Sequence, residues 1–231
     1  MKKAFTLSEV IITMGIVGVI SILTVPAVMK NYKQKIYVTS LQKTVSQIND
    51  ANLSIMQEEM TNSLYETTLA DISSCNADPK KSKGACYFLN NYFKVMKKGC
   101  GGKTSGSTNY CLGAKYTNLD GSKVVNIGAA GLGYCIQNTN GITICGGYNS
   151  ANGCPTYYID VNGEKEPNIA GRDFFTIDLM PDGSVRDYAT GGNLTSMGCA
   201  SSACGTRTGS LSEYSCGCLN KVIEDGWKMK Y

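Results

Sequence analysis

The sequence predicts an α+β fold in which a long N-terminal helix packs on a small antiparallel sheet in a disulfide-rich domain. Two observations support this fold class. Residues 5–29 form an almost uncharged apolar stretch, and a helical pattern continues from there to about residue 62. The eleven cysteines all lie at or after Cys75, in a part of the chain where short strand-like segments alternate with turn residues.

The apolar stretch 5–29 is long enough to cross a membrane as a helix. Its 25 positions reach about 37 Å at about 1.5 Å per residue, and the hydrocarbon core of a bilayer is about 30 Å thick. The stretch carries one charged residue, Glu9. A carboxylate is costly in lipid, which makes Glu9 a candidate functional group. Lys2 and Lys3 favour a cytoplasmic N-terminus, whereas three lysines beyond the stretch oppose that orientation.

Residues 30–62 continue the helix with an amphipathic pattern. Apolar side chains recur at spacings of three and four, with a polar break at Asn52. The stripe consists of Val38, Leu41, Val45, Ile48, Ile55, Met56 and Met60. We expect this stripe to pack on the chain's own sheet in preference to forming a coiled coil with a partner.

The N-terminal string MKKAFTLSE, followed by an apolar helix, resembles the prepilin-type N-terminus of type IV pilins and type II secretion pseudopilins. In that family a prepilin peptidase cuts on the cytoplasmic side of the apolar segment, and the new N-terminal residue is N-methylated. The resemblance implies a leader of residues 1–4, a cut between Ala4 and Phe5, and a helix kink at Pro26. Glu9 becomes the fifth residue of the mature chain. Ala4 departs from the glycine that usually precedes the cut.

The resemblance also implies a function. The chain would be a structural subunit of a type IV pilus-like filament or a type II secretion pseudopilus. Its helix would cross the cytoplasmic (inner) membrane once, and a head of residues 63–231 would lie in the periplasm or outside the cell. The implied partners are other pilin or pseudopilin subunits, the prepilin peptidase, the inner-membrane assembly platform and the membrane. In a staggered stack of helices, the Phe5 ammonium of one subunit would meet Glu9 of its neighbour and fix the register.

Three alternatives remain open at this point. The chain can be a minor, tip-located pilin that acts as an adhesin or ligand binder, with the Cys-rich middle as its recognition surface. It can be a secreted binding domain whose signal is cleaved after Val25-Pro26-Ala27, which leaves Val28 as the first residue. In the third alternative the helix is a simple membrane anchor, and Glu9 has no special role.

The cysteines predict disulfide bonds and an oxidising compartment outside the cytoplasmic membrane. They are Cys75, Cys86, Cys100, Cys111, Cys135, Cys145, Cys154, Cys199, Cys204, Cys216 and Cys218. Because eleven is odd, at most five bridges form within one chain, and the pairing stays open. A zinc site is the rival interpretation, since the last four of these cysteines lie close together in sequence.

The C-terminal part predicts an antiparallel meander. Strands are expected from Tyr157, over Phe174–Met180 and over Ser184–Tyr188, with turns at Asn162-Gly163 and at Pro181-Asp182-Gly183. Earlier in the chain, Tyr87–Met96 predicts a short helix. The string DVNGEKEPNIAGRDFF resembles a stretch found in many pseudopilin-like proteins, some of which bind calcium.

This string also suggests a calcium site. The candidate oxygen ligands are Asp160, Asn162, Glu164 and Asp173. In the competing interpretation, Asp160 and Asn162 build an Asx turn and Asp173 caps a backbone group.

Composition argues against an enzyme. The chain has no histidine, which removes Ser-His and Cys-His nucleophile pairs and leaves no evident base near neutral pH. The string GCGGKTSGST contains Gly-Lys-Thr but lacks the Walker spacing. The formal net charge is +4, and loss of the two leader lysines would leave 20 basic against 18 acidic residues. No nucleic-acid partner is predicted, because the sequence contains neither an arginine-rich run nor a basic stripe interleaved with aromatic residues. No cofactor other than calcium is predicted.

Overall fold

The computed structural model describes residues 5–71, 82–127, 131–149, 154–189, 199–206 and 209–231. The chain divides into two compact units, Met1–Ile36 and Tyr37–Tyr231. Its α-helices in these ranges are α1 (Leu7–Glu58), α2 (Gly84–Tyr92), α3 (Leu211–Ser215) and α4 (Cys218–Glu224). Short 3₁₀ turns lie at Leu64–Glu66, Thr68–Ala70 and Ser201–Ala203.

Ten strands are described, six of which form one antiparallel sheet. The strands are β1 (Val95–Lys98), β2 (Gly101–Gly102), β3 (Tyr110–Leu112), β4 (Lys115–Thr117), β5 (Val124–Asn126), β6 (Tyr134–Asn138), β7 (Thr143–Asn149), β8 (Cys154–Asp160), β9 (Phe174–Leu179) and β10 (Val185–Asp187). The order in the six-stranded sheet is β1-β6-β7-β8-β9-β10. The predicted meander is therefore confirmed, and β1 extends it beside β6.

The second half of α1 supplies one layer of the core. Val38, Leu41, Ile48 and Ile55 are buried, as the amphipathic pattern predicts, and they pack in one cluster with apolar side chains of the sheet. Two details of the predicted stripe are wrong. Asn52 does not break it, because its side chain is fully buried and its Nδ2 donates to the Gly183 carbonyl at 2.9 Å. Met60 lies beyond the helix end, and its side chain is 94% exposed.

The sheet is covered on both faces. The sequence of β9, FFTIDL, alternates apolar and polar residues, which predicts a half-buried strand, yet all six residues are buried. Phe175, Ile177 and Leu179 join the cluster that contains α1. Phe174 belongs to a second cluster, built largely from the Cys-rich segments. This second layer explains how buried polar residues alternate with the apolar ones along β9.

The short helix predicted over Tyr87–Met96 is displaced. It begins earlier, at Gly84, and ends at Tyr92, and the residues that follow form the edge strand β1. Phe88 and Leu89 are fully buried, as the aromatic content of the segment suggests. The boundary differs because Val95, Lys97 and Lys98 pair with β6, so these residues do not extend the helix.

Four disulfide bonds lie in the described ranges, and the first two of them join residues of the second cluster. The pairs are Cys100–Cys111, Cys135–Cys145, Cys199–Cys216 and Cys204–Cys218. Cys86 is also disulfide-bonded, and Cys75 lies outside the described residues. The last two pairs consume all four cysteines of the suggested zinc site, so the zinc interpretation is wrong. Thiolates tied up in disulfides cannot act as metal ligands.

Candidate functional site

The first residues of α1 form a capping box. Thr6 precedes the helix, and Glu9 is its third residue. The backbone N–H and the hydroxyl of Thr6 both donate to Glu9 Oε2 at 2.8 Å. The Glu9 N–H donates in return to Thr6 Oγ1 at 3.3 Å. Each side chain thus satisfies a backbone donor that the helix itself leaves without a partner.

This cap gives Glu9 a partner within its own chain. The capping-box motif Thr6-x-x-Glu9 is visible in the sequence. The sequence-based prediction for Glu9 considers only a cation supplied by another molecule. Both hydrogen bonds from Thr6 would survive a cut before Phe5, because the amide between Phe5 and Thr6 stays intact. Ala4 and the rest of the predicted leader lie outside the described residues.

The apolar segment of α1 presents a fully exposed surface. Each side chain described between Phe5 and Met29 is exposed. Among the large apolar residues the exposed fraction runs from 36% at Val10 to 85% at Phe5. The helix is long and apolar enough to cross a membrane. A continuous apolar surface of this size needs a lipid or protein cover.

Two threonine hydroxyls in this segment are satisfied by the helix's own carbonyls. The Thr13 hydroxyl donates to the Val10 carbonyl at 2.9 Å, and the Thr24 hydroxyl donates to the Ile20 carbonyl at 2.9 Å. Such bonds hide a hydroxyl from an apolar medium. Pro26 lies inside α1 as predicted, and its missing N–H removes one helical hydrogen bond.

The carboxylates of the suggested calcium site are tied to backbone groups. Asp160 Oδ1 accepts from the N–H groups of Asn162 at 3.0 Å and Gly163 at 2.7 Å, and its Oδ2 accepts from the Tyr116 hydroxyl. Asp173 Oδ1 accepts from the Ile169 N–H at 2.6 Å. These are the hydrogen bonds that the Asx-turn interpretation requires.

Three of the four suggested ligands lie together. Asn162 Nδ2 lies 3.4 Å from Asp173 Oδ2 and donates to the Lys165 carbonyl at 2.7 Å. Glu164 is exposed and joins none of these hydrogen bonds. In the described ranges, no group of three or more His, Cys, Asp or Glu side chains is placed to hold a metal ion.

Burial disfavours the charged form of both aspartates. It raises the pKa of Asp173 well above the ordinary value, and repulsion from Asp160 raises that pKa further. Burial also raises the pKa of Asp160, against the effect of the hydrogen bonds it accepts. A proton or a bound cation would relieve this repulsion. The calcium site therefore stays a prediction. Calcium bound at this site would raise the unfolding temperature above that measured in chelator, and an unchanged temperature would contradict the site.

Asp187 positions α4, and this role was not predicted from the sequence. Its Oδ1 accepts from the Gly217 N–H at 2.8 Å and its Oδ2 from the Asn220 N–H at 2.9 Å. The carboxylate thus caps the N-terminus of α4 from a strand about thirty positions earlier in the chain. Burial raises its pKa to about 7. No local motif announces such a cap, because its donor and acceptor are distant in sequence.

A polar groove of about 500 Å³ lies on the unit Tyr37–Tyr231. Its walls come from α1, from the segment between α2 and β1, and from the turn between β6 and β7. Lining residues include Lys43, Asp50, Tyr92, Lys94 and Asn140. Mixed charges, amides and aromatic rings are the groups that orient a small polar ligand.

Comparison with known proteins gives no relative for this chain: no family model, no curated protein and no solved structure matches it.

Proposed function

We propose that this chain is a structural subunit of a type IV pilus-like filament or a type II secretion pseudopilus. The observation that supports the proposal most is the construction of α1. Its first half is apolar and exposed throughout, whereas its second half carries the buried stripe of the C-terminal unit. The first half of α1 is thus suited to a membrane and to packing among identical helices. The second half is suited to packing on the disulfide-bonded domain.

The proposed mechanism is assembly. The helix resides in the cytoplasmic membrane until the prepilin peptidase cuts between Ala4 and Phe5. The assembly platform then transfers the subunit from lipid into a bundle of parallel helices. Lipid and helix surfaces are similarly apolar, so this transfer needs no unfolding of the helix.

Glu9 has two successive partners in this mechanism. In the unassembled subunit its carboxylate accepts the hydrogen bonds of Thr6, which also places a negative charge near the positive end of the helix dipole. During docking it faces the Phe5 ammonium of a neighbouring subunit. A charge without a partner is strongly disfavoured in the apolar bundle, so only the register that pairs these groups is favourable.

Mass spectrometry of the mature N-terminus tests the proposal. The filament interpretation requires a chain that begins at Phe5 and carries an N-methyl group. A chain that begins at Val28 would contradict it and would identify a secreted binding domain. An intact Met1 would leave only the simple membrane anchor.

A tip-located binding subunit is the second candidate, and the polar groove around Tyr92 and Lys94 is the observation that favours it. Deletion of the gene distinguishes the two roles. Loss of filaments or of secreted proteins indicates a structural subunit. Normal filaments with lost adhesion or uptake indicate a binding subunit at the tip.

A further inference from the structure

A lysine-rich part of the head has no role in the proposed assembly. Residues 82–119 contain six lysines and neither aspartate, glutamate nor arginine. Lys83 forms an ion pair with Asp71, with Nζ 3.2 Å from Oδ2. Five further lysines form no ion pair with any residue that the structure describes: Lys94, Lys97, Lys98, Lys103 and Lys115.

Two of these lysines converge on one aromatic ring. Lys97 Nζ lies 5.5 Å and Lys103 Nζ 5.2 Å from the centroid of the Tyr110 ring. Lys97 Nζ also donates to the Tyr110 carbonyl at 2.9 Å. The two ammonium groups therefore lie within about 11 Å of each other. Cation–π attraction holds them there against their mutual repulsion, and a bound anion would relieve that repulsion.

A closed loop carries Lys103 and Tyr110. The Cys100–Cys111 disulfide joins its ends, and the parallel pairing of β2 with β3 orders its base. Asn109 Nδ2 donates to the Lys98 carbonyl at 3.0 Å, which fastens the loop to β1. This is the loop that contains Gly-Lys-Thr without the Walker spacing. The loop that carries Lys103 and Tyr110 is thus closed and attached to β1, the strand that carries Lys97, before any ligand binds.

The loop also offers neutral hydrogen-bond donors. Thr104, Ser105 and Thr108 are exposed. Lysine, serine, threonine and backbone N–H groups are the donors that contact phosphate oxygens in nucleic-acid complexes.

We propose that a lysine surface, formed by Lys97, Lys98, Lys103, Tyr110 and the loop of residues 100–111, binds a phosphodiester polymer. A ligand with regularly spaced anions can neutralise both ammonium groups at once and continue along the neighbouring lysines. Along one DNA strand a phosphate recurs about every 3.4 Å of helix axis, so about three phosphates fall within the span of the two lysines.

Two kinds of polymer carry this chemistry: nucleic acid and the polyol phosphates of cell walls. No nucleic-acid partner is predicted from the sequence, because no basic stripe in it is interleaved with aromatic residues. The fold supplies that combination by bringing Tyr110 against Lys97 and Lys103, neither of which is its neighbour in sequence. The proposal does not depend on filament assembly, so it can hold or fail independently of the proposed function.

Fluorescence anisotropy with a labelled duplex DNA tests the proposal on the full-length chain in non-ionic detergent. The test variant is Lys97→Gln with Lys103→Gln. The control, Lys165→Gln with Lys228→Gln, removes the same charge from exposed lysines elsewhere. The slope of log affinity against log salt should be about 0.9 for each lysine that contacts a phosphate. We expect the test variant to lower that slope by about 1.8 and the affinity at low salt by at least about tenfold. The control should match the wild type.

Competition identifies the polymer. Displacement of the DNA by poly(glycerol phosphate), but not by polyglutamate of equal charge, supports a phosphodiester site. Whichever of DNA and poly(glycerol phosphate) binds more tightly indicates whether the ligand is nucleic acid or a cell-wall polymer. Equal displacement by polyglutamate would overturn the proposal. So would failure of both phosphate polymers to bind, or an unchanged salt slope in the Lys97→Gln, Lys103→Gln variant.

Discussion

At the scale of single residues, Glu9 combines two properties that the Glu9→Ala substitution cannot separate. It is the acceptor of the capping box at the start of α1, and it is the proposed partner of a neighbour's ammonium. Glu9→Ala removes both. Glu9→Gln keeps an oxygen that can accept from Thr6 but removes the charge.

We expect Glu9→Gln and Glu9→Ala to be processed normally and both to assemble poorly. Loss of a charge-assisted bond costs about 1–3 kcal/mol, which corresponds to about a 5- to 150-fold loss of incorporation. Filament incorporation, measured by shearing and immunoblotting, checks this. Thr6→Ala is the matched control, because it disturbs the cap and leaves the charge. Normal assembly of Glu9→Gln together with failure of Thr6→Ala would show that the cap matters and the charge does not.

Asn52 is the second residue with a decisive contact. Its amide joins α1 to the turn between β9 and β10 through the Gly183 carbonyl. We expect Asn52→Ala to lower the free energy of unfolding by about 1–3 kcal/mol, because that carbonyl loses its side-chain donor and a cavity forms. Urea unfolding measures the change. Gln47→Ala, an exposed position on the same helix, should change stability by less than about 0.5 kcal/mol.

At the scale of elements, the attachment of α4 depends on a buried acid. Asp187 belongs to β10 and caps α4, and burial raises its pKa to about 7. Burial also raises the pKa values of Asp160 and Asp173. Between the unfolded and the folded pKa, the folded chain binds more protons than the unfolded chain. Its stability therefore falls as pH rises through this window.

We expect the head to unfold at lower urea concentration at pH 8 than at pH 5. Each of these protons contributes a slope of about 1.4 kcal/mol per pH unit between about pH 4 and the raised pKa. The Asp187→Asn variant should show a flatter profile in that range, although it is less stable overall. An unchanged slope in this variant would mean that Asp187 is charged in the folded state at pH 5.

Elements with a local signal were predictable, and elements held by distant contacts were not. Apolar residues recur with the helical period in α1 and with the strand period after Tyr157, so the sequence pattern alone locates these elements. The edge strand β1 has no such pattern, and its pairing with β6 depends on tertiary context. The burial of both faces of β9 follows from a disulfide-bonded layer whose pairings the cysteine spacing leaves open.

The candidate site divides in the same way. The membrane-length segment and Glu9 could be predicted from the sequence, because charge and apolarity are properties of single residues and need no tertiary contact. The contacts of Lys97 and Lys103 with Tyr110 need the closed loop to bring them together. Asp187 likewise meets its partners only after β10 and α4 are packed.

At the scale of the whole molecule, the unit Tyr37–Tyr231 has a complete core of its own. Tyr37, Val38 and Leu41 are buried in it, and its disulfides lie within it. We expect a chain of residues 37–231, produced in an oxidising compartment, to be soluble and to unfold cooperatively. Circular dichroism and calorimetry check this, with the full-length chain in detergent as control. Unfolding without a cooperative transition would show that the apolar segment is needed for folding.

The capping box at Thr6 and Glu9 has a consequence for the reversibility of assembly. A subunit that leaves the proposed filament gives up the ammonium of its neighbour, but its carboxylate can return to the two hydrogen bonds of Thr6. Extraction therefore leaves no bare anion in the lipid. Because the Glu9 carboxylate regains its hydrogen bonds with Thr6 when the neighbouring ammonium leaves, subunit exchange can be reversible. The same subunit can then be inserted, withdrawn and inserted again.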